Sequence, residues 1–191
     1  MDLDRPPLSR IIEEELVGNR ILSHFYYPKY VKALELTGNE RVLEFGSGGG
    51  LMSRALIQVI NRGGSLTCVD ISEYWIKKAQ KRMRDFSNVE FRLGDITQMD
   101  LPDNAYDTVV IHFVLHDIDP AKRIDVMNAL TKLLRPEGTM VIREPVKPGH
   151  GIPLAEIRTL MRDCGLREHR SGCTKSWRWK WVCDGVFIKS W

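Results

Sequence analysis

The amino-acid sequence is short of several features that would classify it at a glance. No apolar run approaches the roughly 20 residues a membrane-spanning helix needs. The opening Met1-Asp-Leu-Asp-Arg-Pro-Pro lacks the basic-then-apolar form of a signal peptide, so a cytoplasmic location is the expectation. Only four cysteines occur, Cys68, Cys164, Cys173 and Cys183, and no two form a Cys-x-x-Cys pair. Neither a structural zinc site nor a redox motif is indicated, and no metal is expected. Charge of one sign is also scarce: 28 Lys or Arg face 25 Asp or Glu, a net +3 too mild to imply nucleic acid by itself. There is no internal repeat and no low-complexity segment. What remains is an ordinary globular composition, 43% hydrophobic and 28% charged, in a chain of 191 residues that can bury a sizeable core as one domain.

Against that plain background one stretch stands out, Arg41-Val-Leu-Glu-Phe-Gly-Ser-Gly-Gly-Gly50. An apolar run breaks into glycines at 46, 48, 49 and 50, and an amphipathic pattern starts at Leu51, which reads as strand, tight turn, helix. Glycines there admit positive φ or close approach of a ligand to the backbone, and the helix start offers unpaired N–H groups.

The rest of the chain alternates in the same way. Helical spacing runs from Leu8 to Val17, and an aromatic-rich helical segment from Ile21 to Leu36 carries Phe25, Tyr26, Tyr27 and Tyr30. Strands are expected at Val42 to Phe45, Ser65 to Val69, Val89 to Leu93, Tyr106 to Phe113 and Thr139 to Arg143. Helices are expected after Leu51, after the capping residue Ser72, from Ala121 to Leu134 and from Leu154 to Cys164. The helix after Ser72 should turn Trp75, Ile76, Ala79 and Met83 inward and Lys77, Lys78, Lys81, Arg82 and Arg84 to solvent. Trp177, Trp179 and Trp181 alternate with basic residues, and Asp184-Gly185 reads as a hairpin turn before Val186 to Trp191. The sixth strand is also compatible with Leu166 to Gly172. Such alternation predicts an α/β fold, a doubly wound, mostly parallel sheet with a terminal antiparallel hairpin. The last stretch, 140–191, carries ten Lys or Arg against five Asp or Glu. A solvated basic face explains that excess, and an anionic substrate also fits it.

In an open α/β sheet, ligands bind beyond the carboxyl ends of the strands. Glu44, Asp70, Asp95, His112, His116, Asp117 and Glu144 all fall at or just past such ends. Each alone is explained by a cap or a solvated loop, but together they describe one lined pocket.

With these residues in place the sequence resembles the class I S-adenosylmethionine-dependent methyltransferases, particularly the small-molecule branch that includes ubiquinone-type and arsenite-type enzymes. The resemblance spans about residues 40–145. It is carried by Val42-Leu-Glu-Phe-Gly-Ser-Gly-Gly-Gly50, Cys68-Val-Asp-Ile-Ser72, Gly94-Asp-Ile96, Tyr106-Asp-Thr-Val-Val110 and Leu134-Arg-Pro-Glu-Gly138, in that order and spacing. It implies a seven-stranded sheet of order 3-2-1-4-5-7-6. It divides the single domain into an N-terminal helical lid or flank (1–38), a cofactor-binding core (40–145) and a C-terminal helix and hairpin (146–191). It further implies that Gly46, Ser47 and Gly48 admit the methionine part of S-adenosylmethionine, with Glu44 near its amino group. Asp70 would take the ribose hydroxyls, Ile71 the adenine face, Asp95 the exocyclic amine and the Ile96 backbone a ring nitrogen. His112 would offer its backbone carbonyl to the cofactor amino group, and the product would be S-adenosylhomocysteine.

A nicotinamide or flavin dinucleotide site is the rival for the glycine loop, but its fingerprint needs glycine where Leu51 stands. The sulfonium is already activated, so the protein has mainly to align a nucleophile and exclude water. Where the acceptor carries a proton, His116 is the first candidate base, then His112, then Glu144. The alternative for His116 is simple support of its loop. Tyr27, Tyr30 and Asp117 are candidate acceptor contacts, which favours a small, partly aromatic or apolar molecule. Nucleic acid is disfavoured, because Ile111-His-Phe-Val-Leu-His116 follows the fourth strand in place of an Asn/Asp-Pro-Pro-aromatic motif. A non-catalytic protein of the same fold, binding S-adenosylmethionine or docking a partner or second copy through its tryptophans, is the reading from another class.

Overall fold

The computed structural model describes residues 8–13, 23–61, 63–147, 149–176 and 180–190. Among the described residues seven main strands, counted in chain order, lie side by side as third, second, first, fourth, fifth, seventh and sixth, the order the resemblance implies. Contacts divide the chain into two units, Met1–Asp95 and Ile96–Trp191. Among the described residues no helix is long and apolar enough to cross a membrane.

The first unit holds three parallel strands, β1 (Arg41–Phe45), β2 (Ser65–Asp70) and β3 (Val89–Leu93). Val42, Leu43, Leu66, Cys68 and Val69 have no exposed surface, so β1 and β2 read as continuous apolar runs because both faces are covered. The helix α3 (Leu51–Val59) buries Met52, Ala55, Leu56 and Ile57, each large side chain contributing about 1.5–3 kcal/mol. In α4 (Glu73–Arg82), Ile76 and Ala79 are buried and Met83 closes the helix, as its spacing predicts. Its basic face departs from expectation at two places. Lys78 is half-buried over the Trp75 ring, and Arg82 is half-buried with a hydrogen bond to Gly49 O. Ser72 stands at the N-cap, but its side chain makes no capping bond.

The N-terminal helices are shorter than their periodicity suggests. Here α1 covers Leu8–Glu13, and the continuation expected to Val17 lies outside the described residues. A wider helical turn at 23–26 leads into α2 (Tyr27–Lys32), whose one buried residue is Val31. The aromatics pack on each other: Tyr26 and Tyr30 stack at 6.2 Å, while Phe25 is exposed.

The second unit is built on β4 (Tyr106–His112), with Val109, Val110 and Ile111 fully buried, and on β5 (Leu134–Lys147). The fifth strand is far longer than Thr139 to Arg143. Leu134 already pairs with Tyr106, and the ladder resumes at Thr108 and Thr139 across a bulge in which Glu137 takes φ +60°. Between them α5 (Arg123–Leu133) starts two residues later than expected, because Pro120–Lys122 form a tighter turn. A two-residue strand, His150–Gly151, folds back on β5 before α6 (Leu154–Asp163), which Gly165 terminates at φ +77°.

The terminal hairpin exists, but its turn is elsewhere. Here β6 (Leu166–Ser176) and β7 (Lys180–Lys189) are antiparallel, so Asp184-Gly185 lie inside a continuous strand. A Cβ at Gly185 would collide with the Phe187 ring and stand 3.1 Å from Ile142 Cγ2; the glycine makes room for neighbouring side chains. The connection, with Trp177 and Trp179, lies outside the described residues, and Trp181 is 45% exposed. The register sets Cys173 opposite Cys183, and the two form a disulfide that their spacing did not announce.

Candidate active site

In the first unit the glycine loop is tied to the end of β2. The N–H groups of Gly46 and Ser47 both donate to Val69 O, at 2.8 and 3.0 Å. The next donor, Gly48 N, gives its hydrogen to Asp70 Oδ2 at 2.8 Å, while Ser72 N donates to Asp70 Oδ1 at 2.9 Å. Each carboxylate oxygen therefore accepts a backbone hydrogen bond, which fixes the orientation of the carboxylate at the end of β2. Two glycines are required for different reasons. At Gly48 (φ +51°) an added Cβ would meet nothing within 4 Å, so that side of the loop is open. At Gly50 (φ +78°) it would meet Ala79 Cβ at 3.0 Å and Met83 Cε at 3.1 Å, so the glycine lets α3 start against α4.

Glu44, 2% exposed, lies beneath this loop on β1. Burial pushes its carboxyl up to about 8; the Ser53 hydroxyl pulls the other way, and the Asp70 charge adds to the rise. Cys68 Sγ is 3.9 Å from its Oε2. At neutral pH the group is thus largely protonated. The hydroxyls of Ser47 and Ser72 are buried with no hydrogen-bond partner among the described residues, beside a loop whose open face is at Gly48. Ile71, the residue after Asp70, is 44% exposed, an apolar surface at the position expected to meet adenine. Asp95 is exposed at the end of this unit. These groups fit a polar, partly aromatic ligand with a cationic end, which matches S-adenosylmethionine.

The second unit assembles the other candidates around Glu144, which has no exposed surface. Its Oε1 accepts from Val114 N (2.8 Å) and Leu115 N (2.7 Å), and its Oε2 lies 2.6 Å from His116 Nδ1 and 3.4 Å from His116 N. In the three backbone contacts the carboxylate is the acceptor. With an ionised carboxylate as acceptor the shared proton sits on Nδ1, which makes Nε2 the basic nitrogen of the ring. Asp117 Oδ1 is 3.6 Å from Nε2, too far for a hydrogen bond. His112 differs: burial, and then the charge of Arg143, push its imidazole down to about 3, so it stays neutral and a weak proton acceptor. Phe113, the next residue, takes φ +60° as the chain leaves β4.

The expected residues therefore fall into two groups. Glu44, Gly46, Ser47, Gly48, Asp70, Ile71 and Asp95 belong to the first unit, as do Tyr27 and Tyr30 on α2; Ile96, His112, His116, Asp117 and Glu144 belong to the second. Hydrogen bonds join Gly48 to Asp70 and His116 to Glu144. Sequence reasoning missed Arg82, which donates to Gly49 O, and Arg123, which bonds the carbonyls of His116 and Ile118. Arg82 falls on a stripe expected to face solvent and Arg123 carries no signal in the sequence; only their burial in the fold gives them away.

Comparison with known proteins bears on the family and the fold. The chain belongs to the methyltransferase family whose model, described as "Methyltransferase domain", matches residues 42–138. It is 28% identical over 130 residues to the ubiquinone/menaquinone biosynthesis C-methyltransferase UbiE of Ectopseudomonas mendocina (strain ymp), covering 65% of this chain and 50% of that protein. The chain thus spans about half the length of the curated relatives it matches. Among solved structures it resembles the N-methyltransferase NodS from Bradyrhizobium japonicum WM9 in complex with S-adenosyl-L-homocysteine. There the TM-score is 0.78 at 19% identity, over 95% of this chain and 97% of that one. It also resembles the [4+2]-cyclase SpnF, with TM-score 0.74, 14% identity, and coverage of 85% and 80%. Structural likeness at these identities establishes the fold and leaves the reaction to be argued from the site.

Proposed function

We propose that this protein binds S-adenosylmethionine and transfers its methyl group to a small-molecule acceptor, releasing S-adenosylhomocysteine. The observation that carries the reading is the Asp70 carboxylate held against Gly48 N–H at 2.8 Å, within the segment matched by the methyltransferase domain. Asp70 would hold the ribose hydroxyls, Gly46, Ser47 and Gly48 the methionine part, and Glu44 the ammonium, with Ile71, Asp95 and Ile96 around adenine. The bound cofactor supplies an activated methyl group, so the remaining work is orientation and proton removal.

For an acceptor bearing an O–H or N–H, His116 takes the proton at Nε2 while Glu144 holds Nδ1–H and stabilises the charged ring. Glu144 itself is committed to backbone N–H groups and serves better as the orienting partner than as a base. His112 contributes its backbone rather than its ring. The acceptor is a small, partly aromatic or apolar molecule, with Tyr27, Tyr30 and Asp117 as its candidate contacts.

A second reading is that the His116–Glu144 pair only secures the loop, and the 3% exposure of the His116 side chain favours it. An assay of S-adenosylhomocysteine release against thiols, phenols, amines, quinols and arsenite decides. The base role predicts that His116→Ala lowers turnover by about 10²–10⁴-fold with cofactor affinity little changed. Full turnover of the variant on the true acceptor would leave the loop-support reading. Cytoplasmic location and a homodimer belong to the same proposal. In a reducing cytoplasm the glutathione and thioredoxin systems would hold Cys173 and Cys183 as thiols.

A further inference from the structure

The loop that carries His116 is gripped from two sides. Its N–H groups, those of Val114, Leu115 and His116, point to the Glu144 carboxylate. Two of its carbonyls are taken by a single guanidinium: Arg123 Nε donates to Ile118 O at 3.1 Å and Arg123 Nη2 to His116 O at 3.5 Å. The third nitrogen, Nη1, is 2.5 Å from Glu156 Oε1. Arg123 opens α5 and is 6% exposed, an unusual place for an arginine on a helix whose first turn could face water. Glu156 sits in the first turn of α6, with its side chain 39% exposed. One rigid fork thus joins α6 to the two residues that flank Asp117. A lysine, whose donors all sit on one nitrogen, could not span the three acceptors that Nε, Nη1 and Nη2 reach.

We propose that Arg123, anchored by Glu156, is a positioning residue for the reaction: by fixing the 116–118 carbonyls it sets the angle at which the His116 ring meets Glu144. The inference rests on the reading of His116 as a base oriented by Glu144. The carboxylate determines which ring nitrogen carries the proton, and the guanidinium determines where that ring is held. Neither Arg123 nor Glu156 touches the acceptor in this scheme. Their loss acts through the histidine.

Nitrogen-15 spectra of the histidine ring on the full chain test this without knowledge of the acceptor. In the wild-type protein His116 should show one protonated and one unprotonated nitrogen, the signature of a fixed Nδ1–H tautomer. Arg123→Met and Glu156→Gln should collapse the separation between the two resonances through tautomer averaging, while Arg123→Lys restores it in part. Glu156→Gln alters a half-exposed side chain and remains readable should Arg123→Met fail to fold. Wild-type separation retained in both Glu156→Gln and a folded Arg123 variant would overturn the proposal. An averaged ring already in the wild type, or a fixed tautomer surviving Glu144→Gln, would instead overturn the His116–Glu144 pair on which it rests.

Discussion

At the scale of single residues, Glu44 carries the most specific consequence. Its carboxyl is raised to about 8 chiefly by burial, from an ordinary 4.5. Because the folded value lies above the unfolded one, its contribution to stability is complete below about 4.5. Above that the contribution falls by about 1.4 kcal/mol for each step of one in pH, until the folded group ionises at about 8 and the loss is complete. Denaturation measured at pH 6 and pH 9 should show this loss in the wild-type protein and a smaller one in Glu44→Gln. Equal losses would remove Glu44 as the source. An ammonium brought beside Glu44 favours its charged form, so cofactor binding should release a proton at neutral pH and strengthen from pH 6 toward about 8, above which the cofactor's own α-amino group loses its charge. Calorimetry in buffers of differing ionisation enthalpy reads that proton directly, and Glu44→Gln should abolish its release.

At the scale of elements, parallel strands and their helices were legible because each local signal agreed with the fold. The glycine loop followed an apolar strand, Asp70 ended the next, and the helix before it carried a buried stripe at Met52, Ala55 and Leu56. The hairpin was misread for a physical reason. Asp-Gly serves a tight turn and serves equally a strand crowded by neighbours, and only Phe187 and Ile142 in three dimensions distinguish the two. Gly185→Ala should therefore destabilise the protein by about 1–3 kcal/mol, as an overpacked core does. A neutral change in thermal unfolding would mean that the strand relaxes without cost. The same strand pairs Cys183 with both Cys173 and Glu144, so the disulfide lies in one cross-strand row with the carboxylate that orients His116. No spacing rule in the sequence expresses such a row, because it depends on register.

At the scale of the whole molecule, the residues proposed for the cofactor stand in patterns that the sequence displays, whereas the partners of His116 do not. Glycines and strand-end carboxylates are short, local patterns tied to one ligand, whereas His116 draws its geometry from Glu144, 28 residues away, and from Arg123 and Glu156 on two helices. Such an arrangement exists only after folding. A homodimer, proposed for the exposed Trp181 face, should appear in sedimentation as twice the 22.0 kDa of the chain; a monomer at high concentration would dismiss it.

The central claim is that Asp70 and the glycine loop hold S-adenosylmethionine. Isothermal titration of the wild-type chain and of Asp70→Ala with that cofactor tests it most directly. The account predicts saturable one-to-one binding that Asp70→Ala weakens by at least about tenfold, since a carboxylate's bonds to ribose hydroxyls contribute about 1.5–3 kcal/mol each. No binding to the wild type, or equal affinity in the folded variant, would contradict it.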